Sequence, residues 1–291
     1  MKEYVLFTDS GCDLPVEVLK ERGIELIEMG CTIDGLSFSL LGGDLTIEQF
    51  YGRMRDGSMP ITAQINPAAF EEAFTPFLEK GMGVLYLGFS SGLSGTYASA
   101  VMAAEELSGK YPDAKVVTVD TKCASLGQGL LVYEAADLRD KGMSMEEVAR
   151  FAQDNCQRYC HYFTVDNLFH LHRGGRVSRA TAIMGTMLSI KPVLHVDEAG
   201  HLINFSKARG RRASLNALVD NMKKKFRPEL GSTVFISHGD CREDADMVAS
   251  AVKAAFPQAD VKLIGFIGPV IGTHSGPGTV ALFFKSDDRS L

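Results

Sequence analysis

Short apolar runs alternate with amphipathic stretches along the first half of the chain. A short apolar run predicts a buried strand, and apolar residues three or four positions apart predict a helix. The strands predicted in this half are 4–8, 24–29, 84–89 and 115–120, and the helices are 15–21, 48–55, 68–78 and 97–107. Regular alternation of strands and helices is typical of a parallel sheet with helices on both faces. We therefore predict a three-layer α/β/α domain over residues 1–160.

The second half has a different rhythm, because its predicted strands follow one another more closely. A helix predicted over 144–159 leads out of the first domain, and a small apolar helix is predicted over 178–189. The segment Asp197-Glu198-Ala199-Gly200 is a hairpin signal. The strands predicted here are 162–165, 191–196, 202–206, 234–237, 261–267 and 279–284. This pattern indicates an α+β domain over residues 161–291 with a mixed, mostly antiparallel sheet.

One strand–helix junction carries more chemistry than the others: Ser90-Ser91-Gly92-Leu93-Ser94-Gly95-Thr96-Tyr97. It lies at the carboxyl end of the strand predicted over 84–89, where proteins with parallel sheets bind their ligands. Glycine lets the backbone approach a ligand closely, and the free N–H groups at a helix start favour an anion. The junction predicts either an anion cradle or a helix cap and tight turn with nothing bound. Further polar residues are expected at the same edge of the sheet: Asp9, Ser10 and Ser125.

Two other segments add to this prediction. Asp13 is placed to cap the first helix, just ahead of Pro15. The segment 268–278 has four glycines and two prolines around His274, which predicts a stiff, shaped loop. His274 would either make a backbone hydrogen bond within a turn or donate to a bound anion.

Composition and charge narrow the class of protein. The chain has 291 residues, 45% of them hydrophobic, so it is long enough for two packed domains. The formal net charge is −6, and the basic residues are dispersed apart from short clusters at 209–212 and 223–227, which we interpret as solvated faces. This balance argues against nucleic acid as a partner.

The cysteines and the start of the chain indicate a compartment. The sequence enters a strand at once, and no apolar run is long enough to span a membrane, so we expect a cytoplasmic protein. The six cysteines then fit reduced thiols. Cys156 and Cys160, expected one helical turn apart, lie beside His161, but no second Cys/His pair is near in sequence, so we expect no metal site.

The polar residues do not match the common catalytic motifs. A serine-hydrolase elbow needs a glycine two positions after the nucleophile, and Thr96 occupies that position after Ser94. An aspartyl phosphatase would carry a second Asp two positions after Asp9, where Gly11 stands. The first strand is not followed by the spaced glycines of a dinucleotide site. A free-standing hydrolase, or another enzyme acting on a small anionic or lipid substrate, is kept as the alternative function.

Five segments in order along the chain together resemble the DegV family: Thr8-Asp9-Ser10 with Asp13-Leu14-Pro15, residues 91–97, Arg173-Gly174-Gly175-Arg176, Ile190-Lys191-Pro192 and residues 271–278. Each is weak alone, and the five in register make a specific match. The resemblance implies a two-domain protein that binds one long-chain fatty acid in a buried tunnel between its domains. It implies no enzyme in its own right, but the fatty-acid-binding subunit of a bacterial fatty acid kinase. A separate ATP-using subunit would phosphorylate the carboxylate to acyl phosphate for phospholipid synthesis.

The resemblance also implies the residues that hold the carboxylate, which are Thr62, Ser94 and His274 together with Gly95. No cofactor besides the bound fatty acid is implied. The family commonly has Thr-Ser-Gln-Pro where this chain has Thr62-Ala63-Gln64-Ile65, and this departure leaves the local loop shape and the ligand preference open. We expect a neutral cradle, because a tight arginine pair would quench the carboxylate as a nucleophile.

The apolar helix at 178–189 is predicted to line the tunnel with three side chains: Ala182, Met184 and Met187. Three arginines are predicted to form a charged face on which the kinase subunit docks: Arg173, Arg176 and Arg209. They could instead cap neighbouring helices or pair with local acids. We expect a monomer that also makes transient contact with membrane lipid.

Overall fold

The structure is a computed structural model that describes residues 4–113, 115–166, 168–178 and 189–290. Its strands are β1 (Tyr4–Asp9), β2 (Ile24–Ile27), β3 (Gly30–Ile33), β4 (Leu36–Ser37), β5 (Ile61–Ala63), β6 (Gly83–Gly88), β7 (Val116–Asp120), β8 (Tyr159–Thr164), β9 (Ile190–Val196), β10 (Leu202–Arg209), β11 (Thr233–His238), β12 (Asp260–Phe266) and β13 (Val280–Lys285). Its helices are α1 (Val16–Arg22), α2 (Ile47–Arg55), α3 (Pro67–Leu78), α4 (Thr96–Lys110), α5 (Ser125–Asp140), α6 (Met145–Asn155), α7 (Phe169–Arg173), α8 (Arg211–Lys225), α9 (Arg242–Ala255) and α10 (Pro269–Ser275).

Within these ranges the strands form two large sheets and one small sheet. The first large sheet is parallel, with the order β2-β1-β6-β7. The second has the order β10-β9-β8-β13-β11-β12, in which β11 and β12 are parallel and the other neighbours antiparallel. The predicted parallel sheet and the predicted mixed, mostly antiparallel sheet are confirmed. The small antiparallel sheet, β4-β3-β5, is an addition to the prediction, and it carries Thr62.

Helix α5 lies between the two large sheets and is buried along most of its length. Its apolar side chains share one core with Leu6 and Leu85 of the first sheet and with Phe163 and Phe283 of the second. The core therefore continues from one sheet to the other through α5. The division of the chain into two domains at residue 160 stays a prediction.

Gly127 allows α5 to approach the second sheet closely, because a Cβ at this position would overlap the Nε2 atom of His161. We expect Gly127→Ala to lower the free energy of unfolding by about 1–3 kcal/mol. The added methyl group must push His161 away from its hydrogen bond with the Ala124 N–H (3.2 Å). Gly109→Ala in α4 is the control, because a Cβ there meets nothing within 4 Å. Equal stability of the two variants in urea unfolding would contradict the packing of α5.

The helix predicted over 144–159 is wrong at its end. Helix α6 stops at Asn155, a short 3₁₀ turn covers Cys156–Arg158, and β8 begins at Tyr159. The apolar positions that suggested one continuous helix belong to two elements, since a fully buried strand follows the helix almost directly. Cys160 and His161 are therefore on a strand, and the helical spacing expected between Cys156 and Cys160 does not exist.

The segment 268–278 is not a loop, because α10 occupies most of it. Pro269 stands at the first position of this helix, and Gly276, with φ 81°, follows its last residue. Proline suits a helix start, and glycine suits the residue after a helix end. The density of glycine and proline that predicted a loop instead marks the two ends of a helix of about two turns.

Asp13 does not cap the first helix. Helix α1 begins at Val16 without a side-chain cap, and Asp13 lies ahead of it with φ 54°. Its carboxylate is buried and accepts hydrogen bonds from the Gly268 N–H (2.9 Å) and from the Ser125 hydroxyl. Asp13 therefore ties the edge of the first sheet to the starts of α5 and α10.

The two basic clusters lie at the ends of α8, a helix absent from the sequence prediction. This helix buries Leu215, Leu218 and Met222 beneath its charged ends, so its basic residues are one face of an amphipathic helix.

None of the helices in the described ranges is long and apolar enough to cross a lipid bilayer. Most of the helix predicted over 178–189 lies outside the described residues, and with it Ala182, Met184 and Met187.

Candidate functional site

A cavity of about 450 Å³ lies where the carboxyl end of the first sheet meets the second sheet. Most of its wall is apolar, with side chains from both sides of this junction: Phe89, Phe163, Val196, Leu202, Val270 and Phe283. Its volume falls within the range of small-molecule sites, roughly 300–1,000 Å³. The position agrees with the rule that ligands of parallel sheets bind beyond the carboxyl ends of the strands.

Polar groups gather at one end of this cavity. The Thr62 hydroxyl and the Nε2 atom of His274 are 2.9 Å apart and hydrogen-bonded. Strand β5 holds Thr62 opposite Cys31 of β3, and the last turn of α10 holds His274. Residues 212 positions apart in sequence thus meet because β5 and α10 pack at the same edge of the cavity.

His274 is neutral near pH 7. Burial, reinforced by the positive charges of Arg176 and Arg173, lowers the pKa of His274 to about 4. A neutral imidazole offers one N–H donor and one acceptor nitrogen. The Nδ1 atom of His274 is buried and has no hydrogen-bond partner among the described residues. This nitrogen lies against Gly174, so Nε2 is the ring atom that contacts Thr62 at the polar end.

Ser94 and Gly95 form the neighbouring wall of the cavity. The Ser94 hydroxyl is 2.9 Å from the Thr96 hydroxyl and accepts a hydrogen bond from the Thr96 N–H (3.2 Å), so Ser94 also supports the start of α4. A Cβ at Gly95 would overlap the Gln64 side chain. The glycine thus leaves room for the Gln64 side chain where the start of α4 approaches the segment that carries Thr62. Ser94 therefore both supports the helix start and lines the cavity, and the anion cradle stays a prediction.

The segment Arg173-Gly174-Gly175-Arg176 joins these pieces together. Arg173 donates to the carbonyl oxygen of Pro60 (3.1 Å), and Arg176 donates to that of Leu93 (3.1 Å). Both arginines line the cavity. One arginine is thus fastened beside Thr62 and the other beside Ser94. The expectation of a neutral cradle is wrong, because two guanidinium groups stand at the polar end.

The remaining candidate residues lie at separate places in the structure. Arg209 is exposed at the end of β10, away from the cavity wall. Ser125 lines the cavity, whereas Asp9 is fully buried and accepts hydrogen bonds from the Tyr86 hydroxyl (2.5 Å) and the Phe89 N–H (2.8 Å). No cluster of three His, Cys, Asp or Glu side chains suited to a metal ion occurs in the part of the chain that the structure describes.

Gly174 is a site residue that the sequence analysis does not assign. A Cβ at Gly174 would overlap the Nδ1 atom of His274, although the backbone angles there (φ −76°, ψ −7°) suit any residue. The glycine is therefore needed for space. The sequence signal was the Gly-Gly pair between two arginines, but nothing in it indicates that His274 is the neighbour.

The fold and the site define an α/β protein with one parallel and one mixed sheet, and with an apolar cavity between them that is polar at one end. The sequence profile described as an uncharacterised protein of the DegV family matches residues 4–287. This chain belongs to the DegV family, and the resemblance drawn from its five segments is confirmed.

Relatives and solved structures agree with this assignment. A DegV domain-containing protein of Clostridium perfringens is 46% identical over 290 residues, which cover 99% of each chain. A fatty-acid-binding DegV family protein from Thermus thermophilus has a TM-score of 0.86 at 29% identity, covering 98% of this chain and 100% of its own. DegV of Bacillus subtilis, described as a fatty acid binding protein, has a TM-score of 0.83 at 26% identity over 98% of this chain and 100% of its own.

Proposed function

We propose that this protein binds one long-chain fatty acid, with the acyl chain in the apolar cavity and the carboxylate at the polar end. The observation that carries the proposal is the Thr62–His274 hydrogen bond at one end of a cavity with mostly apolar walls. The family members from Thermus thermophilus and Bacillus subtilis are described as binding fatty acids, which supports the same ligand class here.

The affinity would come from the acyl chain. Burying each methylene contributes about 0.8 kcal/mol, so a chain of about sixteen carbons contributes on the order of 10 kcal/mol before the cost of association. The carboxylate costs several kcal/mol to remove from water unless hydrogen bonds replace its hydration. Thr62, Ser94 and His274 would supply these hydrogen bonds and fix the position of the reactive oxygen.

Arg173 and Arg176 would balance the charge of the carboxylate without pairing with it tightly. Each guanidinium already donates to a backbone carbonyl, so part of its hydrogen-bonding capacity is used within the protein. A carboxylate held mainly by hydroxyls and a neutral imidazole keeps a reactive oxygen. This arrangement supports its use as a nucleophile.

The finer proposal is that the protein is no enzyme by itself but presents the carboxylate to a separate ATP-dependent kinase subunit, which forms acyl phosphate. The sequence has no phosphate-binding loop of the G-x-x-x-x-G-K-S/T type. This supports a division of labour in which a partner supplies the nucleotide.

Removing any one carboxylate ligand should weaken fatty acid binding. We expect Thr62→Val, Ser94→Ala and His274→Gln each to raise the dissociation constant by about fivefold to a hundredfold, since a hydrogen bond to a charged group contributes about 1–3 kcal/mol. Calorimetry with delipidated protein measures the change, and native mass spectrometry of protein purified from cells identifies the ligand.

Thr32→Val is the matched control, because Thr32 is an exposed threonine on β3 of the same small sheet. Unchanged affinity in the three site variants would refute the placement of the carboxylate. An empty cavity in purified protein, together with ester hydrolysis, would favour the alternative of a free-standing hydrolase.

Arg209 offers a clean test of kinase docking, because it is exposed and away from the cavity wall. If Arg173, Arg176 and Arg209 face the partner, Arg209→Glu should leave fatty acid binding intact and lower kinase-dependent acyl phosphate formation severalfold, as raised salt should also do in the wild type. Arg173→Glu should lower both, since it also loses its bond to Pro60. Normal phosphorylation of the Arg209 variant would place the docking face elsewhere.

A further inference from the structure

Gln64 is a polar residue of the cavity wall to which the fatty acid site gives no role. It directly follows β5, two positions after Thr62, and it lines the cavity. Its side chain lies beside the start of α4, because a Cβ at Gly95, the residue after Ser94, would overlap the Gln64 amide. The amide is therefore close to both segments whose hydroxyls are proposed to hold the carboxylate.

Gln64 lies further toward solvent than the proposed carboxylate ligands. It is exposed, whereas Thr62, Ser94 and His274 are half-buried. A side chain that is exposed and also lines the cavity stands where the cavity opens to solvent. Gln64 is thus part of the rim at the polar end, on the solvent side of the carboxylate.

The Gln64 amide has a hydrogen-bond donor to spare. A side-chain amide carries two N–H donors on one nitrogen. Among the described residues the Nε2 atom of Gln64 donates to the Ser99 hydroxyl, over a long distance of 3.4 Å. Ser99 is buried in α4, so this contact orients the amide at the rim. The second N–H remains available to an oxygen of a ligand.

The proposed phosphoryl transfer takes place on this side of the carboxylate. A carboxylate oxygen forms a bond to the terminal phosphorus of a nucleoside triphosphate held by the partner. The bond from that phosphorus to the diphosphate breaks, and the diphosphate leaves with the electron pair. Since the acyl chain occupies the apolar cavity on one side, the new phosphoryl group extends from the carboxylate toward the rim.

We propose that Gln64 donates its second N–H to the phosphoryl group of the acyl phosphate and favours this product over the fatty acid. The inference rests on the proposed function, because it assigns a residue to the group formed there. Arg173, which is also exposed but is fastened to Pro60 ahead of β5, supplies positive charge at the same end. A donor already in place needs no reorganisation when charge develops on the phosphoryl oxygens.

Calorimetry with delipidated full-length protein tests this contact through the ratio of two affinities. The ligands are palmitic acid and the β-ketophosphonate with the same acyl group, a stable analogue of acyl phosphate in which a methylene group replaces the bridging oxygen. Gln64→Ala should lower the preference for the analogue about fivefold or more, as for a lost hydrogen bond to a charged group. Gln64→Glu keeps the side-chain shape and should lower it further, because its negative charge repels the more highly charged phosphonate more strongly.

Gln153→Ala is the matched control, because Gln153 is an exposed glutamine of α6 outside the cavity wall, and it should change neither affinity. Equal losses for both ligands in Gln64→Ala would mean that Gln64 only packs against α4. That result, or unchanged affinities, would overturn the inference. A wild type that binds palmitic acid but not the analogue would overturn the inference and leave fatty acid binding intact. A wild type that binds neither ligand would overturn the proposed function and the inference with it.

Discussion

Replacing Asp13 by asparagine is expected to stabilise the protein above neutral pH and to leave its stability near pH 4 almost unchanged. The Asp13 carboxylate is buried, and this burial raises its pKa to about 7. In the unfolded chain the pKa of an aspartate is about 3.9. The native state therefore holds a proton that the unfolded state has lost between about pH 4 and pH 7.

This difference in proton binding makes the native protein less stable as the pH rises from about 4 to about 7. The contribution of Asp13 to stability is fully present below about pH 4 and is lost as the pH rises through about 7. A shift of about three pKa units corresponds to roughly 4 kcal/mol. Asparagine carries no charge to bury, and it can accept from the Gly268 N–H and donate to the Ser125 oxygen. It also tolerates the φ of 54°.

Denaturant unfolding of the wild type and of Asp13→Asn measures the effect. The difference between their free energies of unfolding should widen as the pH rises from about 4 to about 7. The buried carboxyl of Asp9, whose pKa is also raised by burial, is present in both proteins, and its charge adds to the rise in the pKa of Asp13. Asp34→Asn is the matched control, because Asp34 has φ 53° but is exposed, and hydrogen bonds from Ser58 and Arg53 lower its pKa, so its effect should not change with pH above about 4. Parallel pH profiles for wild type and Asp13→Asn would contradict a buried, titrating carboxyl.

The sheets could be predicted from the sequence because burial on both faces makes strands such as β1 and β6 continuous apolar runs. Short elements could not be predicted in this way. Strand β4 has two residues and α10 has seven, so neither shows a hydrophobic period. In α10 the glycines and prolines at the two ends give a stronger sequence signal for a loop than the few interior residues give for a helix. Tertiary hydrogen bonds hold the start of this helix: Asp13 accepts from the Gly268 N–H, and Tyr51 donates to the carbonyl oxygen of Ile267 (2.8 Å).

The candidate site, too, could be predicted from the sequence only in part. The Ser94–Gly95 junction could be found from residue types, because the strand-to-helix position is a local signal. Thr62 and His274 lie 212 positions apart and have no local sign of contact, so only the family resemblance connected them. From sequence, the polarity of the arginines predicts only a docking surface. Their bonds to the carbonyls of Pro60 and Leu93 depend on tertiary approach, which no spacing along the chain encodes.

Gly174→Ala should abolish most fatty acid binding while leaving the fold intact. The backbone of Gly174 is compatible with alanine, but the added methyl group would overlap the Nδ1 atom of His274. The imidazole must then move and lose its 2.9 Å hydrogen bond to Thr62. We expect the dissociation constant to rise on the order of tenfold to a hundredfold, as for removal of a hydrogen bond to a charged group.

A double-mutant cycle with His274→Gln separates this steric effect from a general loss of structure. If Gly174→Ala acts through the imidazole, it should add little to the loss already caused by His274→Gln, because the two residues are in contact and their effects are not independent. Calorimetric affinities of the wild type, the two single variants and the double variant provide the coupling energy. Fully additive losses would mean that Gly174 supports the cavity by another route, such as the bonds of Arg173 and Arg176 on either side of it.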